Sequence, residues 1–114
     1  GMRTLEEADP EFHPYYEGAM EKRDMAYHQG TVWTFPLGAY YLAYLKVHAY
    51  SERAKQDVKE QLEVLECALK EGCIGQLPEI YDGKNPVSSK GCFAQAWSVG
   101  ELLRVYEQIE KKKK

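Results

Sequence analysis

The sequence lacks the features that mark membrane-spanning, secreted and nucleic-acid-binding proteins. No apolar run approaches the roughly 20 residues of a membrane span, and no basic start followed by an apolar block opens the chain. The 114 residues carry a formal charge of -3, and their only positive run is 111–114, which we interpret as a solvated tail. We therefore expect a soluble, cytoplasmic protein that binds neither membranes nor nucleic acid.

Cysteine is scarce and unpaired. Cys67, Cys73 and Cys92 are odd in number and lack the C-x-x-C spacing of a zinc site. We expect reduced thiols, and we expect neither a metal nor another cofactor.

The chain also shows no internal repeat and no convincing strand pattern, so the predicted fold class is all-α with three main helices. Residues 1–35 show no sustained helical period and contain several prolines and glycines, which predicts an irregular arm. A helix over 36–50 is apolar nearly all round and should be enclosed. A helix over 52–71, capped by Ser51, has one apolar stripe, and a third covers 92–110.

Tyrosine, in contrast, is abundant, with nine residues, of which seven lie in the first half of the chain. Its flat apolar face and single hydroxyl suit contacts with carbohydrate or with a partner. An equally good explanation is the wet edge of a core.

Three segments could carry chemistry. Residues 23–33, RDMAYHQGTVW, combine polar groups with aromatic rings, as a sugar site requires, although a lone histidine such as His28 beside Trp33 is more often a core histidine. The loop GQLPEIYDG contains Glu79 and Asp82, which lie too close in sequence to flank a glycosidic bond from opposite sides. Locally, Glu79 could be a solvated loop charge. In GCFAQAWSVGELL, Gln95 and Trp97 cannot share a helix face, and Trp97 could be a core anchor.

Together, AYHQGTVW, PLGAYYLAYLKVH, GQLPEIYDG and GCFAQAWSVGELLRV, in this order, resemble the C-terminal end of glycogen debranching enzymes, in their amylo-alpha-1,6-glucosidase region. The resemblance covers nearly the whole chain. It implies a glucoamylase-like (alpha/alpha)6 toroid, of which residues 1–114 form a single partial domain, a C-terminal fragment. Helix 36–50 would belong to the inner ring and helix 52–71 to the outer ring. Helix 92–110 would close the ring of the toroid.

The same resemblance implies hydrolysis of alpha-1,6-linked glucose with inversion, with Glu79 as the general base. The family's general acid is an aspartate upstream of the region that this chain covers, and no residue here matches it. The resemblance further implies a substrate site that includes Tyr27, His28, Thr31, Trp33, Gln95 and Trp97. One departure from the bacterial pattern Trp-Pro-Trp is the sequence Trp33-Thr34-Phe35-Pro36, which should alter the shape of the site.

Three hypotheses about function follow. In the first, the chain is the C-terminal part of a debranching glycoside hydrolase acting on an alpha-glucan, and it is inactive alone because the acid is missing. In the second, it is a non-catalytic helical module that forms a homo-oligomer through helix 36–50 or completes a separately encoded rest of the toroid. In the third, it is a relic that keeps the fold without a role.

Overall fold

The computed structural model describes residues 1–111 and shows four helices beside a small antiparallel sheet. The predicted solvated tail therefore lies mostly outside the described residues. The helices are α1 (Met20–His28), α2 (Pro36–Val47), α3 (Glu52–Glu66) and α4 (Ala96–Glu110), and one 3-10 turn follows α3 at Cys67–Lys70. The strands are β1 (Met2–Arg3), β2 (Val32–Trp33), β3 (Ile80–Tyr81) and β4 (Ser89–Lys90).

The all-α prediction is wrong because these four strands form one sheet in the order β1-β2-β3-β4. Every neighbouring pair is antiparallel, with Trp33 opposite Met2 on one side and opposite Ile80 on the other. In the third pair Tyr81 lies opposite Ser89. A strand of two residues is too short to show the alternation of apolar and polar residues that reveals strands in a sequence.

The prediction of an irregular arm over residues 1–35 is also wrong, since this segment contains β1, α1 and β2. Helix α1 buries only Ala26, so it has no apolar stripe to produce a helical period. The breakers lie outside it: Gly18, with φ of +81°, precedes the helix, and Gly30 follows it. Residues 4–19 between β1 and α1 remain irregular.

Helices α2, α3 and α4 pack around the main hydrophobic core, as three helices were expected to do. Pro36 occupies the first turn of α2, where its missing N–H costs nothing. The predicted cap is confirmed, since the Ser51 hydroxyl accepts a hydrogen bond from the Ala54 N–H. The buried core residues are Leu37, Tyr41, Leu45, Ala54, Val58, Leu62, Leu77, Leu102 and Val105.

Three predicted helix boundaries need correction. Helix α3 ends at Glu66 rather than at residue 71, and a 3-10 turn continues the chain to Lys70. Helix α2 ends at Val47 rather than at residue 50, because Ala49 and Tyr50 both adopt a positive φ of 51°. Helix α4 begins at Ala96 rather than at residue 92, since Cys92 is hydrogen bonded to Glu79 in the preceding loop.

Large apolar side chains remain uncovered on several helices. Val47 on α2 is 80% exposed and Leu103 on α4 is 66% exposed. The radius of gyration is 15.4 Å, compared with about 13 Å for a compact domain of this length. Among residues 1–111, no helix has the length and apolar character needed to cross a membrane.

Candidate functional site

Glu79 lies directly before β3, and its carboxylate is held by two donors. The Tyr27 hydroxyl donates to Oε1, and the Cys92 N–H donates to Oε2 at 3.0 Å. The backbone of the same two loops is also paired, because the Glu79 N–H donates to the Cys92 carbonyl oxygen at 2.8 Å. The carboxylate therefore has a defined orientation rather than the freedom of a solvated loop charge.

The first turn of α4 fixes the loop that precedes Glu79. The buried Ser98 hydroxyl donates to the Pro78 carbonyl oxygen at 2.9 Å. The Gln95 N–H donates to the Leu77 carbonyl oxygen at 2.8 Å. Two consecutive carbonyl groups before Glu79 are thus bound to the helix, which sets the direction in which the loop continues.

Gly91 is required where the two loops meet. Its φ is +68°, and a Cβ there would lie 2.6 Å from Oε2 of Glu79 and 3.1 Å from Cγ1 of Ile80. Only glycine allows this backbone conformation and this approach to the carboxylate without strain.

A row of aromatic rings, here called the aromatic wall, extends from the Glu79 carboxylate and consists of Tyr27, Trp33, Trp97 and Phe35. The rings of Tyr27 and Trp33 meet edge to face with centroids 4.5 Å apart. Trp33 lies 6.1 Å from Trp97, and Phe35 stacks on Trp97 with centroids 4.2 Å apart and planes 17° apart. Trp97 is 44% exposed, so it is not a core anchor. Trp33 itself is buried, so the rings on which a sugar could stack beside this fixed carboxylate are those of Tyr27, Phe35 and Trp97.

The remaining predicted site residues lie around this wall but differ in accessibility. Thr31 is fully buried, and its hydroxyl donates to the Tyr27 carbonyl oxygen and accepts from the Trp33 indole N–H. The Thr31 side chain therefore helps to position Tyr27 and Trp33 through hydrogen bonds. His28 is exposed at the end of α1, with its ring edge-on to Tyr27 at 5.2 Å. Gln95 is half-buried at the N-cap of α4.

The electrostatics of Tyr27 reflect its position. Burial, followed by the hydrogen bond to Glu79 and the negative charge there, raises the pKa of the Tyr27 hydroxyl to about 12. The hydroxyl is therefore protonated at neutral pH and remains a donor to the carboxylate.

Asp82, the second acid of the loop, is buried rather than solvated. Its Oδ1 accepts the Tyr16 N–H at 2.9 Å, and its Oδ2 lies 3.5 Å from Nζ of Lys90. Both oxygens are thus engaged away from the Glu79 carboxylate. No group of three or more histidine, cysteine or acidic side chains within residues 1–111 is arranged to hold a metal ion.

Sequence reasoning assigned no site role to Phe35, Ser98, Cys92 or Tyr16. The displaced proline at Pro36 drew attention to Phe35, but its stacking on Trp97 depends on α4. The Ser98 hydroxyl binds a backbone carbonyl oxygen and Cys92 acts through its own N–H, and neither contact leaves a pattern in the sequence. The crowding of tyrosines was the one signal that could have included Tyr16.

Comparison with curated proteins and with solved structures finds no match for this chain. The family model described as Amylo-alpha-1,6-glucosidase, however, matches residues 1–104. That match covers most of the sequence and includes every residue of the site described above. The resemblance to the C-terminal segment of glycogen debranching enzymes is confirmed, and the chain belongs to the amylo-alpha-1,6-glucosidase family of glycogen-debranching glycoside hydrolases.

Proposed function

We propose that Glu79 is the general base that activates water for the hydrolysis of an alpha-1,6-linked glucose with inversion. The observation that carries the proposal is the carboxylate held by Tyr27 and by the Cys92 N–H at the end of an aromatic wall. A base must be aimed at its water before the reaction begins, and two fixed donors provide that aim. The substrate would be an alpha-glucan branch point.

Inversion needs a second carboxyl group about 6.5 to 9.5 Å from the first, on the opposite face of the sugar. Asp82 does not suit this role, because both its oxygens already have partners and its side chain is only 4% exposed. We propose that the acid comes from a part of an (alpha/alpha)6 toroid that residues 1–114 do not include.

A base without its acid gives no turnover, so the 114-residue chain by itself should be inactive. The uncovered apolar side chains and the extended shape support a segment that packs against further helices. In this arrangement α2 would lie in the inner ring and α3 in the outer ring. We propose a cytoplasmic location, since the three cysteines are free thiols.

The inactivity is tested with purified chain and branched limit dextrin. We expect glucose release at the background rate, and turnover at an enzyme-like rate that is lost in Glu79→Gln would refute the claim. The base role needs the acid, so it is tested in a full-length family member whose C-terminal segment is replaced by residues 1–104.

In that hybrid, Glu79→Gln should lower the rate of glucose release by about 10² to 10⁴. The matched control is Glu60→Gln on the exposed face of α3, where the carboxylate accepts a hydrogen bond from Gln56; it should release glucose at the unchanged rate. Proton NMR should detect beta-glucose as the first product. Equal rates for the two variants would exclude Glu79 as the base.

The second candidate function is a helical interaction module, favoured by the exposed face of α2, which includes Tyr40 and Val47. A homodimer through this face would show a concentration-dependent mass in sedimentation equilibrium, and Val47→Asp would reduce it to a monomer. A monomer at all concentrations in the unchanged chain would argue against self-association.

A further inference from the structure

The ion pair between Asp82 and Lys90 is hydrogen bonded to the backbone of Tyr16, which lies in the irregular arm between β1 and α1. Oδ1 of Asp82 accepts the Tyr16 N–H at 2.9 Å. Nζ of Lys90 lies 3.5 Å from Oδ2 of Asp82 and donates to the Tyr16 carbonyl oxygen at 3.3 Å. Both backbone polar groups of Tyr16 are therefore held by charged side chains of the β3–β4 hairpin.

The neighbouring contacts fasten the same stretch of the arm. The Gly83 N–H donates to the Pro14 carbonyl oxygen at 2.7 Å. The Tyr15 hydroxyl donates to the Asn85 carbonyl oxygen at 2.5 Å, so the Tyr15 side chain is bound to the loop between β3 and β4. Tyr16 follows in sequence, and its ring is directed elsewhere.

The ring of Tyr16 lies against the site. Its centroid is 5.9 Å from that of Tyr27, at an angle of 50°, and the hydroxyl of Tyr27 is bonded to Glu79. The guanidinium of Arg23 lies 5.9 Å from the Tyr16 ring centroid. Tyr16 is half-buried, so part of its side chain is accessible next to the Tyr27 ring.

We propose that Tyr16 is a further substrate-contacting residue of the Glu79 site, and that Asp82 and Lys90 are positioning residues that hold it there. This inference rests on the proposed function, since its ligand is an alpha-glucoside. Tyr16 would add a further aromatic ring and a hydroxyl next to Tyr27, whose ring also contacts Trp33. Hydrogen bonds to charged groups are stronger than those between neutral groups, so Asp82 and Lys90 hold the Tyr16 backbone more firmly than neutral loop contacts would.

The placement is tested without any ligand. In the 114-residue chain, nuclear Overhauser contacts between the Tyr16 and Tyr27 rings are expected. Asp82→Asn keeps an acceptor for the Tyr16 N–H but loses the charge that binds Lys90, and should weaken these contacts. Unchanged contacts in Asp82→Asn would overturn the positioning role of the ion pair.

The ligand contact is tested by NMR titration of the same chain with isomaltose. We expect weak binding that falls by about tenfold in Tyr16→Ala, through loss of one stacking face. The matched control is Tyr40→Ala, which also loses a partly exposed tyrosine ring but on α2, outside the Glu79 site, and it should bind isomaltose as the unchanged chain does. Asp82→Asn should weaken binding in parallel with the loss of ring contacts.

Equal affinities for Tyr16→Ala and Tyr40→Ala would overturn the substrate contact. Absence of isomaltose binding by the unchanged chain would overturn it too, while the role of Glu79 would still be decided by glucose release in the hybrid enzyme. A failure of the inference and a failure of the proposed function are thereby distinguished.

Discussion

The hydroxyl of Ser98 donates a hydrogen bond to the carbonyl oxygen of Pro78 across 2.9 Å. This contact joins the first turn of α4 to the residue that immediately precedes Glu79. Because Ser98 is fully buried, water cannot replace the donor when the hydroxyl is removed.

Ser98→Ala should therefore lower the free energy of unfolding by about 1 to 3 kcal/mol, the cost of a buried acceptor left without a partner. Urea denaturation monitored by circular dichroism measures it. Ser89→Ala, on an exposed residue of β4, should change stability by less than about 0.5 kcal/mol. A similar decrease in the free energy of unfolding in the two variants would show that the Ser98 hydrogen bond does not contribute to stability.

Gly91→Ala should displace the Glu79 carboxylate. Gly75 provides the control, since its φ of +77° is equally left-handed but a Cβ there would contact nothing within 4 Å. Gly75→Ala should cost about 1 to 2 kcal/mol from backbone strain alone. Gly91→Ala should cost at least as much and should also shift the Cys92 amide resonance towards its position in Glu79→Gln. An unshifted Cys92 amide would mean that the carboxylate tolerates the new Cβ.

Stability should fall at alkaline pH because of Tyr27. Burial and the hydrogen bond to Glu79 raise its pKa from 10.0 in the unfolded chain to about 12 in the folded one. The unfolded state thus loses this proton first, so the stabilisation is complete below pH 10 and is lost as the pH rises towards 12. Urea midpoints measured across this range should decline less steeply in Tyr27→Phe.

Tyr106 contributes in the same direction, since burial and its hydrogen bond to Glu66 raise its pKa. Tyr106→Phe is therefore the comparison, and the double variant with Tyr27→Phe should show the shallowest decline. If the decline is as steep in the double variant as in the unchanged chain, its origin lies in other groups.

The contact between α2 and α4 should tolerate no side chain at Gly38. A Cβ there would lie 2.6 Å from the Cβ of Glu101 and 2.9 Å from its carbonyl oxygen. Gly38→Ala should lower stability by about 1 to 3 kcal/mol because it forces the helices apart.

Gly100, within α4, is the matched control because a Cβ there would meet nothing within 4 Å. Gly100→Ala should raise stability by about 0.8 to 1 kcal/mol through helix propensity. Thermal unfolding should move the two variants in opposite directions. A stabilised Gly38→Ala would contradict the close packing of the two helices.

Much of the helical part could be predicted because its signals are local. Pro36 at the start of α2, the Ser51 cap and the stripe through Val58 and Leu62 depend only on residues a few positions apart. Helix α1 escaped prediction because it is nearly all exposed, with Ala26 its only buried residue. The strands were not predicted because a strand of two residues is too short to show the alternation of apolar and polar residues.

Residue type alone was enough to nominate candidate site residues, whereas the contacts that depend on geometry could not be predicted. Glu79, Tyr27 and Trp33 have side chains suited to a sugar, and the resemblance singled them out. Two hydrogen bonds of the site, from the Tyr16 N–H to Asp82 and from the Cys92 N–H to Glu79, involve backbone groups from distant parts of the chain. Those contacts exist only once β2, β3 and β4 are paired.

The pairing of β2 with β3 has a consequence for the order of folding. The whole α2–α3 pair lies between Trp33 and Ile80, which are opposite each other in this ladder. Closing so long a loop costs conformational entropy. A ladder of two residues per strand offsets only a small part of that cost. The helices can form from near neighbours, whereas the bond between Tyr27 and Glu79 must wait for the loop to close. Hydrogen exchange should accordingly find the amides of the sheet opening at lower free energy than those of α3, so that the carboxylate loses its alignment while the helices are still folded.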